Sequence, residues 1–377
     1  MKVRPKSIVI GIVVTMSACL LGSALSAGQA APAQNSPMSH EFFKNVQILR
    51  GIPVDEFMDT MGMFSASLGL DCVSCHDPRF STDRSFLAVE TPRIQKARQM
   101  ILMMNAINST NFGGTQMVSC FTCHRGQIKP DFVPSLALQY GELIEDPSAM
   151  TISSDTRPAD PILDKYIRAL GGGERLANLK SFVATGMYSG FNTGGAAVPI
   201  EVFAKAPDQR AQIIRVPDGD GTKVFDGRNG WAAEGWRPMP LMTFTGGNLA
   251  GARLEAILSF PAGIRAAFGR WRVSSTDIGG RRVDLLQGTN PGSLPVNFYF
   301  DDSGLLVRVV RWSKVAVGTL PTQIDYSDYR EVAGVKLPFR TVLTWTDGQS
   351  TIELSQVQPN VQIEAARFAT PAPYRRK

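Results

Sequence analysis

The chain has 377 residues, 44% hydrophobic and 19% charged, an ordinary globular balance with more length than one compact core usually serves. The formal charge is +6, but Lys2, Arg4 and Lys6 sit at the extreme N-terminus, and without them 36 basic residues face 33 acidic ones. No Lys/Arg-rich run occurs, so charge makes no case for nucleic-acid binding.

The first segment, residues 1–28, has a basic start followed by uncharged Ser7 to Leu25, the plan of an export leader. Three outcomes are open. A signal peptidase would cut near Gly28-Gln29-Ala30. A lipoprotein peptidase would cut before Cys19, because Met16-Ser17-Ala18-Cys19 approximates a lipobox, leaving Cys19 as a lipidation site. The segment would otherwise stay as an uncleaved anchor, since about 20 apolar residues span a bilayer. Each outcome predicts a periplasmic protein, and the last two attach it to the membrane.

Residues 29–39, rich in Ala, Pro and Ser, read as a tether. Residues 40–130 read as helical. Phe42, Phe43, Val46 and Leu49 recur at helix spacing. Pro53 opens a helix striped by Phe57, Met58, Met61, Phe64 and Leu68, and Gly69 closes it. Pro92 opens another, with Ile94, Ala97, Ile101, Met104 and Ile107 on one face, broken at Asn111-Phe-Gly-Gly114. Each helix leads to a Cys-x-x-Cys-His pentapeptide, so one unit of about 50 residues occurs twice.

Residues 131–160 read as a proline-bearing linker. A short helix over Ile162 to Leu170 follows and ends at Gly171-Gly-Gly173. From about Ser181 the apolar period changes to two. Asp301-Asp-Ser-Gly304, Gly279-Gly280 and Asp347-Gly348 mark hairpin turns, and Leu249 to Phe268 reads as one or two helices interrupted near Pro261. The predicted fold is therefore α + β in two domains: a helical domain (40–130) and a domain of curved, half-barrel-like antiparallel sheet with a few helices (161–377).

The pentapeptides are Cys72-Val-Ser-Cys75-His76 and Cys120-Phe-Thr-Cys123-His124. Two thiols at that spacing add across the vinyl groups of a haem, and the adjoining histidine falls beneath the iron, so two covalently bound c-type haems are expected. A zinc site built from the four thiolates is the competing reading. The fifth cysteine, Cys19, lies in the leader, so no pair is left for a structural disulfide.

The chain has three histidines: His40, His76 and His124. With two of them proximal ligands, at most one haem can be bis-histidine. Methionine, a soft neutral ligand that raises haem potential, is the natural sixth ligand. Met58, Met61 and Met63 precede the first motif, and Met100, Met103 and Met104 the second. Methionines at helix spacing also serve as core filler, so the residues alone leave the choice open.

Asn45-Val-Gln-Ile-Leu49, Phe57-Met-Asp-Thr-Met61, Ala97-Arg-Gln-Met100, Asn105-Ala-Ile-Asn108 and Cys120-Phe-Thr-Cys-His-Arg-Gly126 resemble the cytochrome c subunit of purple-bacterial photosynthetic reaction centres. The resemblance implies that Met61, eleven residues before Cys72, is the sixth ligand of the first haem, and Met100, twenty before Cys120, that of the second, with Met103 as its rival. It also implies electron transfer to a photo-oxidised membrane complex, and sets Arg125 beside a haem propionate, although an ordinary exposed arginine is the equal alternative. That family carries four haems. This chain has motifs for two, and beyond residue 130 it has no histidine or cysteine.

Tyr326-Ser-Asp-Tyr329-Arg-Glu-Val-Ala-Gly334-Val-Lys-Leu-Pro338-Phe and Phe225-Asp-Gly-Arg-Asn-Gly230-Trp231 resemble bacterial periplasmic lipoprotein-carrier domains, which implies a concave face able to take a lipid or acyl ligand or a partner segment. The expectation is an electron carrier rather than an enzyme, working with redox protein partners at a membrane. A haem enzyme with one open iron, and an assembly or lipid-binding protein with an attached electron-transfer domain, are the alternatives.

Overall fold

The computed structural model describes residues 36–133, 150–153, 155–235, 237–346 and 348–375. The leader with Cys19 and most of the expected linker lie outside them. Gln34–Lys377 form one compact unit.

Its helical part holds α1 (Ser39–Phe42), α2 (Val54–Leu68), α3 (Pro92–Phe112) and α4 (Cys120–His124). Pro53 N-caps α2 and Gly69 ends it in the left-handed region. Thr91 caps α3 by accepting from the Ile94 N–H, and Gly113 closes that helix in the same left-handed way. The spacing of Phe42 to Leu49 does not become a helix beyond α1. Asn45 takes a left-handed φ of 65°. Tertiary partners hold it there: its Nδ2 donates to the Ala88 carbonyl (3.1 Å), and its own carbonyl accepts from Arg98 Nη2 (2.9 Å).

Two further short helices, α5 (Asp160–Ala169) and α6 (Gly173–Asn178), precede the sheet. The sheet has 13 antiparallel strands. β1 (Ser181–Gly190), β2 (Val198–Lys205), β3 (Gln209–Ile214), β4 (Gly221–Phe225), β5 (Gly230–Ala233) and β6 (Met242–Thr243) form one meander. β7 (Arg270–Ile278), β8 (Arg281–Thr289), β9 (Val296–Phe300), β10 (Leu306–Val315), β11 (Gly318–Val332), β12 (Val335–Trp345) and β13 (Gly348–Pro359) form a second. Pairing of β1 with β13 joins the two into one open, curved sheet. The Asp301–Gly304 and Gly279-Gly280 turns fall where expected, as does the β12–β13 hairpin at Gly348.

Between the meanders runs α7 (Gly246–Ser259), continued by a 3-10 turn over Pro261–Ala267. It packs on β3 and β4 of the first meander and on β10 of the second. Leu254, Phe260 and Ile264 bury there with Ile200, Phe298 and Val309, which fills the concave face. Strict alternation fails in β9, where Asn297 and Tyr299 are as buried as Phe298 and Phe300. Residues 150–153 and 155–157 account for this. Ile152 packs on Tyr299 and Val310, Gln287 Nε2 donates to the Met150 carbonyl (2.8 Å), and the Asp155 N–H donates to Val273 on the outer strand β7 (2.8 Å).

The helical part shares its cores with the sheet. Met63, Ile101 and Met104 bury with Val315, Val317 and Leu320 of the β10–β11 hairpin. Val54 buries with Phe225, Met242 and Phe244. Asp55, fully buried, accepts from the backbone N–H of Thr245 (2.5 Å) and from its hydroxyl (2.8 Å) at the start of α7.

Candidate functional site

In the first pentapeptide, Cys72–Ser74 form a 3-10 turn. Asp71 caps it by accepting from the Ser74 N–H (2.9 Å) and hydroxyl (2.6 Å). The N–H groups of Cys75 and His76 both donate to the Cys72 carbonyl, so the two thiols and the imidazole issue from a single turn. The second pentapeptide is α4 itself. Its capping box pairs the Ser119 N–H with Thr122 Oγ1 (3.0 Å) and the Thr122 N–H with Ser119 Oγ (3.3 Å). Arg125 follows in a left-handed conformation and is exposed.

One helix holds both turns. At the N-terminus of α3, Thr91 Oγ1 donates to the Cys75 carbonyl (2.8 Å) and Arg93 Nη1 to the Ser74 carbonyl (2.5 Å). Near its C-terminus, buried Asn108 accepts from the N–H groups of Met117 (3.1 Å) and Val118 (2.9 Å) and donates to the Val118 carbonyl (2.8 Å), two residues before Cys120. The end of α2 packs on the second turn: the Gly126 N–H donates to the Ser67 carbonyl (2.9 Å), and a Cβ on Gly69 would stand 2.4 Å from the Gly126 carbonyl oxygen. Sequence reasoning did not single out Thr91 or Arg93, and it named Asn108 only as the last residue of the Asn105-Ala-Ile-Asn108 motif, with no role of its own. The available signal for Asn108 was a polar residue on the same helical stripe as Ile101 and Met104.

The histidines differ in support. His124 Nδ1 pairs with the Gln127 carbonyl (3.0 Å), which makes it the protonated nitrogen and leaves the Nε2 lone pair free to ligate. His76 Nδ1 is buried without a partner among the described residues, and burial lowers the imidazole's pKa, favouring the neutral, ligating form. Burial also pushes the Cys120 thiol up to about 11, as expected of a sulfur in apolar surroundings. His40 Nδ1 instead accepts from the Gly51 N–H (3.2 Å).

The six methionines sort by environment. Met63 and Met104 are 4% exposed and committed to the core with the β10–β11 hairpin, and Met58 packs beside Phe225 and Met242. Met61 is partly exposed, whereas Thr60, Met63 and Ser67 on the same helix are buried. Met100 is partly exposed and Met103 is 49% exposed. Of these six, Met61, Met100 and Met103 are thus the ones that the protein core does not claim; Met117, three residues before Cys120, is likewise exposed.

These residues fit a haem at each turn. Of the fourteen large apolar side chains that stay exposed among the described residues, eleven lie in 36–133, including Val73, Val89, Leu102, Met103, Phe112, Met117, Phe121 and Ile128. In α3, only Ile101, Met104 and Asn108 of 21 residues are buried. Such a concentration of uncovered apolar surface around both pentapeptides is what a flat apolar macrocycle would cover. None of the four cysteines forms a disulfide, and among the described residues no three His, Cys, Asp or Glu side chains converge on one position. In the concave face, a cavity of about 20 Å³ lies beside Tyr166, Tyr326 and Tyr329, room for about one water. Among the described residues no helix is long and apolar enough to cross a membrane.

A helical segment presenting two Cys-x-x-Cys-His turns, packed on an open antiparallel sheet, defines a c-type-cytochrome-like module built onto a β module. Residues 16–141, about a third of the chain, match the family model of the photosynthetic reaction centre cytochrome C subunit, and this part is similar to that family. Among solved structures, a LolA superfamily protein from Nitrosomonas europaea is 14% identical with a TM-score of 0.37, over 57% of this chain and 98% of its own. A putative outer membrane lipoprotein-sorting protein domain from Vibrio parahaemolyticus is 13% identical with a TM-score of 0.37, over 55% of this chain and 97% of its own.

Proposed function

We propose that the protein is an exported dihaem c-type cytochrome that transfers electrons to or from a membrane-associated redox complex. The observation that carries this reading is the placement of two Cys-x-x-Cys-His turns at the two ends of α3, amid uncovered apolar surface. Cys72 and Cys75 would bind one haem covalently and Cys120 and Cys123 the other. His76 and His124 would be the proximal ligands, with Met61 and Met100 as sixth ligands and Met103 as the alternative to Met100. A haem held by these residues would supply one-electron redox chemistry. Exposed Arg125 beside His124 would pair with a propionate. The leader would export the chain to the periplasm and, through Cys19 or as an uncleaved helix, keep it at the membrane. The similarity of residues 16–141 to the reaction centre subunit favours a photo-oxidised pigment complex as the electron acceptor.

The test is expression in a host able to attach c-type haem, followed by haem quantitation. Two haems per chain are expected. Cys72→Ser/Cys75→Ser and Cys120→Ser/Cys123→Ser should each retain one, and both haems should be reduced and reoxidised reversibly. A chain that matures without haem, or takes up zinc in its place, would sink the reading. Carbon monoxide binding to the reduced native protein would replace the electron carrier with a haem enzyme.

A further inference from the structure

We infer that Asn108 is a positioning residue for the second haem: it fixes the span between the helix that offers the methionine ligand and the segment that offers the histidine. The inference rests on the dihaem reading. The two sites differ in how that span is set. At the first, Met61 and the Cys72 turn belong to one continuous stretch, since α2 runs directly through Gly69 into the motif. At the second, Met100 lies on α3, whereas Cys120 and His124 lie on α4, beyond the Gly113-Gly114 break and an exposed loop.

Little in that loop is regular. Residues 111–115 are exposed and Met117 is 62% exposed, so the loop has no apolar core of its own. Asn108 bridges it. Its side-chain oxygen accepts from both the Met117 and Val118 N–H groups, and its amide nitrogen donates to the Val118 carbonyl. One planar amide thereby satisfies three backbone groups at the entry to α4 and anchors them to the helix that carries Met100, two turns earlier on α3. At 6% exposure these bonds are shielded from competing water. Alanine would leave the Val118 N–H and carbonyl without this partner and the Met117 N–H with only its bond to the Thr115 carbonyl (2.9 Å), so the entry to α4 would lose its polar tie to α3 while keeping the apolar packing of Val118 and Cys120.

An iron–thioether bond is weak, so a change in that span is felt there before the covalent thioether links or the proximal histidine. The experiment uses the full-length haem-loaded protein. Asn108→Ala should still hold two haems but lose one haem's share of the red thioether-to-iron band, bind carbon monoxide at that iron when reduced, and show one lowered midpoint potential. Asn108→Asp keeps an acceptor for both N–H groups and should retain the band. Thr91→Val, which removes the bond to the Cys75 carbonyl at the other end of α3, should leave the second haem's share intact. Amide exchange at Met117 and Val118 should accelerate in Asn108→Ala and not in Thr91→Val. If Asn108→Ala lowers stability while the band, both potentials and carbon monoxide binding stay as in the wild type, the inference is overturned. It is equally overturned if Asn108→Asp loses the band as completely as alanine does. If the alanine variant does not fold, the aspartate result decides. A wild-type protein with fewer than two haems would instead overturn the dihaem reading.

Discussion

The methyl group of Met63 lies so close to Gly318, at the tip of the β10–β11 hairpin, that a Cβ on that glycine would stand 2.4 Å from Met63 Cε. Met61, two residues away on α2, is only partly buried, whereas Met63 is 4% exposed. Two neighbouring methionines therefore have opposite expected behaviour. Met63→Ala should cost about 2–5 kcal/mol of stability, the usual range for emptying a core methionine site, and leave the thioether band intact. Met61→Ala should remove one haem's share of that band and lower one potential, with a smaller effect on unfolding. Denaturant titration and the oxidised spectrum of both variants check this, and loss of the band in Met63→Ala would reverse the assignment.

Gly62 sets up the next comparison. Replacing a glycine inside a helix by alanine ordinarily gains about 0.5–1 kcal/mol of stability. Here a Cβ would meet Trp345 Cη2 at 2.4 Å, and overpacking of this kind costs about 1–3 kcal/mol, so the clash should win. In a Trp345→Ala background the same change should become neutral or stabilising. A double-mutant cycle measures the reversal, and additive effects would show that α2 and the β12–β13 hairpin do not press on each other.

Asp55 acts as a cap supplied from another helix. Thr245 is the N-cap of α7 but makes no capping bond with its own side chain, and the Asp55 carboxylate takes the Thr245 N–H instead. The negative charge also faces the positive end of α7. Asp55→Ala should destabilise the protein by about 1.5–3 kcal/mol, the scale for hydrogen bonds to a charged group, and Asp55→Asn by less. Equal unfolding midpoints for wild type and Asp55→Ala would refute the role.

The pair Glu255–Lys223 (2.9 Å) predicts a pH dependence. Burial by itself raises the Glu255 carboxyl, but the charges of Lys223 and Arg210 outweigh it and hold the group below its ordinary value of 4.5. A carboxyl depressed in the folded state contributes stability that is fully present above the unfolded pKa and is lost as pH falls through the folded one. Lys223→Met should therefore reduce stability at neutral pH by about 2 kcal/mol and flatten this loss on acidification. Unfolding followed between neutral pH and about pH 3 tests the sign; an unchanged acid slope would remove Glu255 as its source.

How much of this was legible beforehand varies with the element. Pro53, Gly69, Pro92 and Gly113 mark helix ends correctly, because prolines and left-handed glycines act within one turn of chain. The hairpin turns at Gly279-Gly280 and Asp301–Gly304 are local in the same way. The apolar period of Phe42 to Leu49 misleads, since the partners that hold Asn45 left-handed, Ala88 and Arg98, are remote in sequence. Period two in β9 hides the burial of Asn297 and Tyr299, which depends on partners remote in sequence, Ile152 beside Tyr299 and the Met150 carbonyl bonded to Gln287.

By itself the sequence determined the residue inventory on which the proposed haem attachment rests: two thiol pairs each followed by histidine, too few histidines for two bis-histidine haems, and methionine-bearing segments before both motifs. These are matters of composition and short spacing, which no folding can alter. Only the tertiary structure decided which methionines remain available, because that depends on the β10–β11 hairpin claiming Met63 and Met104. Only it placed Asn108 across the loop to α4, because a side chain's hydrogen-bond partners are settled by packing. The same holds for the sheet: its strands could be read one at a time, but the β1–β13 pairing that joins the two meanders connects residues about 170 apart, beyond the reach of any local pattern.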